Sequence, residues 1–224
     1  MIVNYNNAED TIECLQSLKN ISYDNVEIIV VDNGSIDGSV EKLKNFKTGF
    51  SLLKSESNLG FAGGNNIGIR YAIDHEAEYV LLLNNDTVVD SGFIEPLLET
   101  VLKDKKAGAV GGKIYYYSDR KRIWFAGGRL NRLTAKTKHI GKNRVDRGQY
   151  TTACEVDFIT GCMILVPVGV IEKAGLLDEN YFLYFEDIDW NLAIKNRGYK
   201  IIINPLSKIY HKESSSTKKL DDIK

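Results

Sequence analysis

The triplet Asn84-Asn85-Asp86 has residue types that could bind a metal ion. It follows the apolar run Tyr79–Leu83, which is typical of a buried strand, although its leucines alone would also suit a helix. Mg²⁺ and Mn²⁺ take carboxylate, amide and diphosphate oxygens as ligands. The triplet is therefore a candidate site for a divalent cation and a diphosphate bound to it, and a capped turn is the structural alternative.

A second candidate group is the acidic segment Glu186-Asp187-Ile188-Asp189, which follows the aromatic run Tyr181–Phe185. Burial and like charge both raise a carboxyl pKa, which suits a general base. On a helix Glu186 and Asp189 would share a face, while Asp187 would point elsewhere. Acids are also common at a helix N-terminus, so this alternative stays open.

Two further loops contain residues suited to binding a nucleotide. In Asp32-Asn33-Gly34-Ser35 the aspartate could accept hydrogen bonds from a base or ribose, although the same residues also suit a turn and helix cap. The segment Asn58–Gly68 contains four glycines, and backbone that closely approaches a ligand needs glycine. Its spacing matches neither the dinucleotide fingerprint nor a P-loop. His211, a lone histidine after the last predicted strand, favours a structural role on residue type alone.

The predicted elements place these loops at the ends of strands. Strand and helix signals alternate in the first half, which predicts an α/β fold with a mostly parallel sheet and helices on both faces. Ligands bind such sheets beyond the carboxyl ends of the strands. The predicted strands are Val26–Val31, Tyr79–Leu83, Lys113–Tyr117, Ile123–Phe125, Glu155–Val166, Ile201–Ile203 and Lys208–Tyr210; helices are predicted after caps at Asn7 and Ser35, from Ile69 to Ile73, and from Ile94 to Leu102.

The domain expectation is a single catalytic domain over 1–211, with a nucleotide-binding half at 1–106 and an acceptor and catalytic half at 107–211. Residues 212–224 form a polar tail that we expect to be flexible or truncated. Both ends of the chain are abrupt, which suggests a piece of a longer protein.

Composition excludes some functional classes. The formal net charge of −1 argues against a general nucleic-acid binder, and no apolar run approaches the roughly 20 residues that span a bilayer. The three cysteines lack zinc or redox spacing, which predicts a reducing compartment, by default the cytoplasm. The segment Arg129–Arg147 is basic, with Asp146 as its only acid. It could close over a diphosphate, contact an anionic membrane near a lipid-linked acceptor, or be a solvated loop.

Taken in order, the loops resemble those of the family 2 glycosyltransferases, the inverting enzymes of the GT-A fold. The matching segments are Val3–Asn6, Val31–Ser35, Asn58–Gly68, Leu83–Thr87 and Tyr184–Trp190, and they are most similar to the rhamnosyltransferase-like branch. The resemblance covers Met1 to about His211. It implies a GT-A fold whose second half is mixed. It also implies a hexosyltransferase that moves a sugar, rhamnose as first candidate, from a nucleotide-diphosphate sugar to a glycan or lipid-linked hydroxyl acceptor. The setting would be cell-surface polysaccharide or glycoconjugate assembly at the inner face of the membrane.

The resemblance also implies roles for individual residues. Asp187 would deprotonate the acceptor hydroxyl, with Glu186 supporting it or binding acceptor. Asp86 and His211 would bind the metal, Mn²⁺ or Mg²⁺. The nucleotide sugar would contact Asn4, Tyr5, Asn6, Asp32, Asn33, Gly60, Gly63, Asn65, Asn84 and Asn85.

Two positions depart from the family pattern. Asn84 stands where many relatives have Asp, which weakens the charge of a metal site, and Asn65 stands where many carry Arg. Two alternatives therefore remain. A nucleotidyltransferase shares the sheet and the acids, but it needs a glycine-rich loop with Arg and Lys where this chain has Tyr5-Asn6-Asn7. A non-catalytic module that binds nucleotide sugars or glycans is the other.

Overall fold

The computed structural model describes residues 1–46 and 49–213. These residues form an α/β fold in which short strands and helices alternate through the first half of the chain. The strands are β1 Ile2–Asn4, β2 Ile29–Asp32, β3 Ser51–Lys54, β4 Tyr79–Leu83, β5 Thr87–Val89, β6 Ala107–Tyr116, β7 Ile123–Phe125, β8 Gly128–Asn131, β9 Lys136–His139, β10 Cys154–Glu155, β11 Met163–Pro167 and β12 Lys200–His211. The helices are α1 Ala8–Leu18, α2 Ser39–Asn45, α3 Gly60–Asp74, α4 Glu95–Lys103, α5 Val168–Ala174 and α6 Glu186–Asn196.

The first three strands form a parallel sheet in the order β1-β2-β3. All four residues of β2 are buried, as expected for a β-branched strand covered on both faces. The strand begins at Ile29 rather than at the predicted Val26, because Val26 is exposed and its N–H closes a turn on the Asp24 carbonyl. Backbone hydrogen bonds from Met1 to Leu81 and from Leu83 to Met1 place β1 beside β4.

The larger sheet is mixed, with the order β10-β12-β6-β11-β4; β5 pairs with β12 and β7 with β6. Among its described strands only β6 and β12 pair in parallel. The parallel arrangement predicted from the sequence therefore holds for β1 to β3. In the larger sheet β11 instead runs antiparallel between β4 and β6, because the chain returns through the loop that precedes Met163.

The glycine-rich segment is helical rather than a loop. Helix α3 begins at Gly60, although the sequence predicted a helix only from Ile69. A Cβ atom on Gly64 would lie 2.9 Å from Val3 Cγ1 and 3.0 Å from Asn33 Nδ2. The missing side chain thus lets α3 pack closely on β1 and on the loop after β2.

Three further local predictions were wrong. Helix α2 begins at Ser39, not after a Ser35 cap, because Ser35 Oγ accepts hydrogen bonds from Asn4 Nδ2 and the Asn6 N–H instead. The run predicted as one strand over 155–166 is divided between β10 and β11. The last two predicted strands are one strand, β12, with a register irregularity between Asn204 and Lys208.

The predicted tail at 212–224 lies outside the described residues from position 214 onward.

Candidate active site

A cavity of about 890 Å³ opens beyond the carboxyl ends of β1, β2 and β4. Strand order brings these ends together, so loops that are distant in sequence share its wall. The predicted site residues that line it are Tyr5, Asn6, Asn33, Gly60, Asn65, Asn84, Asn85, Asp86, Glu186, Asp187 and His211. Asn4, Asp32 and Gly63 do not line it.

Asp86 and His211 meet because of strand register. Asp86 immediately precedes β5, and β5 pairs with the end of β12 so that Thr87 lies opposite His211. The Lys212 N–H extends this pairing by donating to the Asp86 carbonyl. Both side chains are buried, and His211 Nε2 lies 3.1 Å from Asp86 Oδ1. Trp124 packs its ring edge-on against the His211 ring at 4.6 Å between centroids and fixes the imidazole.

This pair fits a divalent cation. Asp86 Oδ1 is buried, and apart from its contact with His211 Nε2 it accepts no hydrogen bond in the described part of the chain, although a buried carboxylate oxygen with so few partners is costly. The 3.1 Å separation is close to the roughly 3 Å between neighbouring ligands of a six-coordinate ion with bonds of about 2.1 Å. Within 1–46 and 49–213 no cluster of three or more His, Cys, Asp or Glu side chains offers a fuller protein ligand set. An ion here would therefore need oxygen ligands from a bound molecule or water.

The acidic pair lies at the start of α6, on the same cavity. Burial raises the pKa of Glu186 to about 7, and the neighbouring Asp187 carboxylate adds to the shift. Glu186 Oε2 is buried without a hydrogen-bond partner among the described residues. Burial also raises the pKa of Asp187, although hydrogen bonds from the Gly161 and Ile188 N–H groups and from Thr160 partly oppose it. Two carboxyls of raised pKa in a cavity are suited to accepting a proton.

The two ends of the site are joined through the loop before β11. The Gly161 N–H donates to Asp187 Oδ2 at 2.9 Å, and the next residue, Cys162, accepts the Asn84 N–H on its carbonyl at 3.0 Å. Asn191 holds the same loop against α6. It accepts the Ile159 N–H at 3.1 Å and donates to the Ile159 carbonyl at 2.8 Å.

Asn4 and Asp32 lie beneath the cavity and hold its floor. Asn4 Nδ2 donates to Asp32 Oδ2 at 2.8 Å, and the Ser35 N–H donates to Asp32 Oδ1 at 3.0 Å. Thr11 donates to Asn4 Oδ1 at 2.7 Å. Asn4 and Asp32 are fully buried, so this hydrogen-bond network supports the loops after β1 and β2 from beneath the cavity. Gly63 is also off the wall, because it faces the Leu59 side chain.

Asn33 connects the sheet to the aromatic segment Phe182–Phe185, which lines the cavity. It donates to the Gly60 carbonyl at 2.9 Å, and the following Phe61 N–H donates to the Phe182 carbonyl at 2.8 Å. Gly60 has φ +71°, and a Cβ there would collide with the Phe182 backbone. Asn65 lines the cavity from α3, and its side-chain amide donates to the Phe61 carbonyl at 2.8 Å.

Several residues of the site were not predicted from the sequence. Thr160 and Gly161 position Asp187, and their only signal was a small polar break in the apolar run over 155–166. Trp124 and His139 line the cavity near His211, and their rings meet edge-on with centroids 5.0 Å apart. Burial, with a contribution from Lys142, lowers the pKa of His139 and favours a neutral ring. The histidine in an otherwise basic, polar segment was the signal that could have identified it.

The comparison with known families identifies the chain's relatives. A family model described as glycosyl transferase family 2 matches residues 1–175. The chain belongs to glycosyl transferase family 2. A similar protein is the dTDP-rhamnosyl transferase RfbF of Shigella flexneri, 26% identical over 94% of this chain and 67% of that protein. Another is the poly-beta-1,6-N-acetyl-D-glucosamine synthase of Staphylococcus aureus, 26% identical over 91% of this chain. The chain spans 47% of the synthase's length.

Solved glycosyltransferase structures share the fold at low identity. The structure of GalNAc-T7 with UDP, GalNAc and Mn²⁺ matches with a TM-score of 0.76 at 17% identity, covering 94% of this chain and 42% of that one. The mannosyltransferase PcManGT from Pyrobaculum calidifontis, in complex with GDP-Man and Mn²⁺, matches with a TM-score of 0.70 at 16% identity. That match covers 96% of this chain and 56% of the mannosyltransferase. These similarities confirm the GT-A fold of this family 2 chain.

Proposed function

We propose that this chain is an inverting glycosyltransferase that moves a sugar from a nucleotide-diphosphate sugar to a hydroxyl acceptor. One observation carries the proposal: a single cavity brings the Asp86–His211 pair and the Glu186–Asp187 pair together, beside the loops expected to hold a nucleotide. Membership of the family and its glycosyltransferase relatives support this function over that of a nucleotidyltransferase or a binding module.

In the proposed reaction the acceptor oxygen attacks the anomeric carbon from the face opposite the diphosphate. The carbon–oxygen bond to the diphosphate breaks as the new glycosidic bond forms, so the anomeric centre inverts. Asp187 takes the hydroxyl proton. Two N–H groups, from Gly161 and Ile188, hold its carboxylate in place, and burial makes it more basic than an exposed aspartate. Glu186 lies next to it, where it supports the base or binds the acceptor.

Asp86 and His211 would hold Mn²⁺ or Mg²⁺, with Asn84 as a neutral neighbour on the cavity wall. When bound, such a cation offsets the negative charge that builds on the leaving diphosphate. The structures of GalNAc-T7 and PcManGT, which share the fold, were solved with Mn²⁺, and this supports the assignment. Tyr5, Asn6 and Asn33, at the ends of β1 and β2, would face the nucleotide.

The donor and the setting are finer parts of the proposal. Rhamnose from a deoxythymidine diphosphate donor is the first candidate, supported by the similarity to RfbF, and a glycan or lipid-linked acceptor in polysaccharide assembly by the similarity to the synthase. None of the described helices is long and apolar enough to cross a membrane. A peripheral contact at the cytoplasmic face of the membrane belongs to the same proposal.

The test uses nucleotide-diphosphate sugars with Mn²⁺ and follows release of the nucleoside diphosphate together with formation of a glycoside. We expect Asp187→Asn to abolish transfer while nucleoside diphosphates still raise the melting temperature of the variant. Asp189→Asn is the matched control, because Asp189 lies on the same helical turn and does not line the cavity. Full transfer by Asp187→Asn would exclude Asp187 as the base. Saturable donor binding with no turnover by the unaltered chain would favour a binding module instead.

A further inference from the structure

The hairpin β8–β9 and the segment that follows it carry an unbalanced positive charge. The cations are Arg129, Arg132, Lys136, Lys138, Lys142 and Arg144. All six are exposed, residues 128–145 contain no acid, and none of the six forms an ion pair with the part of the chain that the structure describes. The nearest acid in sequence, Asp146, is already paired with Lys113 at 2.6 Å.

The register of the hairpin separates its two faces. Arg129 lies opposite Lys138 in the antiparallel pairing, and Lys136 follows two residues along the same face. Like charges directly opposite each other destabilise a strand pair, so this face would gain from an anionic partner. The alternate residues Thr137 and His139 line the active-site cavity. The basic face therefore looks away from the cavity while the other face helps to form it.

The tip of the hairpin presents one exposed leucine and is held in shape. Leu133 is 97% exposed, the most exposed large hydrophobic side chain among the described residues. The Asn131 side chain accepts the N–H groups of Leu133 and Thr134, and Ala135 closes the turn with φ +53°. These hydrogen bonds fix the turn, and in it the Leu133 side chain points away from the rest of the hairpin.

We propose that this hairpin docks on an anionic lipid surface. The cations bind lipid headgroups, and Leu133 enters the boundary between headgroups and acyl chains. Charge complementarity would equally suit a soluble polyanion, but a polyanion gives no reason for an exposed leucine at the tip. Because Thr137 and His139 belong to the same strand as Lys136 and Lys138, docking places the cavity beside the membrane, where a lipid-linked acceptor would be. The proposal deepens the membrane contact of the proposed function and rests on it.

The experiment is cosedimentation of the whole chain with vesicles of equal parts phosphatidylcholine and phosphatidylglycerol, and with phosphatidylcholine alone. We expect binding to the anionic vesicles that weakens as salt is added, and little binding to the neutral ones. Arg129→Gln with Lys138→Gln should lower the partition coefficient about 25-fold, at about fivefold per cation. Leu133→Ser should lower it about tenfold, since the leucine loses its burial in lipid.

Matched controls remove the same groups elsewhere. Lys105→Gln with Lys106→Gln removes two exposed cations, and Leu102→Ser removes an exposed leucine from α4. Both should leave vesicle binding within about twofold of the unaltered chain, and all variants should keep its melting temperature within about 2 °C. Equal binding to neutral vesicles, or equal losses in the controls, would overturn the proposal. So would a Leu133→Ser variant that binds as tightly as the unaltered chain while soluble heparin competes fully, because the surface would then recognise polyanions.

The vesicle assay contains no donor or acceptor sugar. The transfer-deficient Asp187→Asn variant should therefore bind vesicles like the unaltered chain. A failure of docking would leave the transfer reaction standing, and a failure of transfer would leave docking standing.

Discussion

Replacing the buried Asn191 with leucine should lower the free energy of unfolding, although Asn191 does not line the active-site cavity. Asn191 is fully buried in α6 and makes three hydrogen bonds with its side-chain amide. Two go to the N–H and the carbonyl of Ile159, which is itself buried. The third goes to the Asp187 carbonyl, four residues earlier in the helix. Leucine is similar in shape but can make none of them.

The loss can be estimated from the groups left without partners. The Asp187 carbonyl keeps its helical backbone partner, so it adds little to the loss. The two Ile159 groups are left buried and unpaired, at about 1–3 kcal/mol each. We therefore expect the free energy of unfolding to fall by about 2–6 kcal/mol, a large part of the typical total of about 5–15 kcal/mol. Because Ile159 leads directly to Thr160 and Gly161, the hold on Asp187 should weaken as well.

Urea unfolding followed by circular dichroism measures this change. The midpoint should fall by about 1–2 M with an unchanged slope. Asn180→Leu is the matched control: Asn180 is exposed, and within the described residues its side chain bonds only to the nearby Asp178, so its effect should stay within about 0.5 kcal/mol. A loss below about 1 kcal/mol in Asn191→Leu would refute the reasoning, since the Ile159 groups would then have found other partners at no cost.

Three further outcomes follow from the site. Burial raises the pKa of Glu186 from 4.5 to about 7, so its carboxyl holds a proton more tightly in the folded chain than in the unfolded chain. The free energy of unfolding should therefore fall by up to about 3 kcal/mol as the pH rises from 4.5 to 7. Glu186→Gln should remove that fall, as urea titrations at several pH values would measure. Gly60→Ala should cost about 1–3 kcal/mol from its positive φ and the collision with Phe182, whereas Gly169→Ala, with open space in α5, should be neutral or slightly stabilising in thermal melts. Asn84→Asp should bind Mn²⁺ more tightly in the absence of nucleotide, as an electron paramagnetic resonance titration would measure; unchanged affinity would place the ion elsewhere.

The sequence was informative for the strand that leads to the triplet and for the family. The apolar run Tyr79–Leu83 is β4 at the predicted bounds, and the ordered loops identified the family that the family model confirms. It was misleading where a residue type serves two purposes. Glycines in Asn58–Gly68 were interpreted as a ligand loop, yet Gly64 lies inside α3 and allows close packing on Val3. A glycine that approaches a ligand and a glycine that lets two elements pack closely have the same local signal.

Residues that act through tertiary contacts could not have been predicted. Nothing local marks Asn191 as the partner of Ile159, because the contact depends on how α6 packs beside the loop before β11. The partners of Asp32 were similarly out of reach: an aspartate after a parallel strand is suited to a ribose, and in the folded chain its two oxygens accept bonds from Asn4 and Ser35. Only the folded arrangement distinguishes a residue on the wall of a cavity from one that supports it.

The charge of the predicted metal site favours joint binding of ion and donor. Asp86 supplies one negative charge, while His211 as a neutral ligand and Asn84 supply none. A divalent cation would therefore leave the site with net positive charge, and burial makes that charge costly. The diphosphate of a nucleotide sugar carries the missing negative charge and the oxygen ligands that hard cations prefer. Substituting aspartate at position 84 would balance the ion without the nucleotide. Under the proposed mechanism, asparagine at that position would make the ion's affinity depend on the donor, so that the two would bind as a unit.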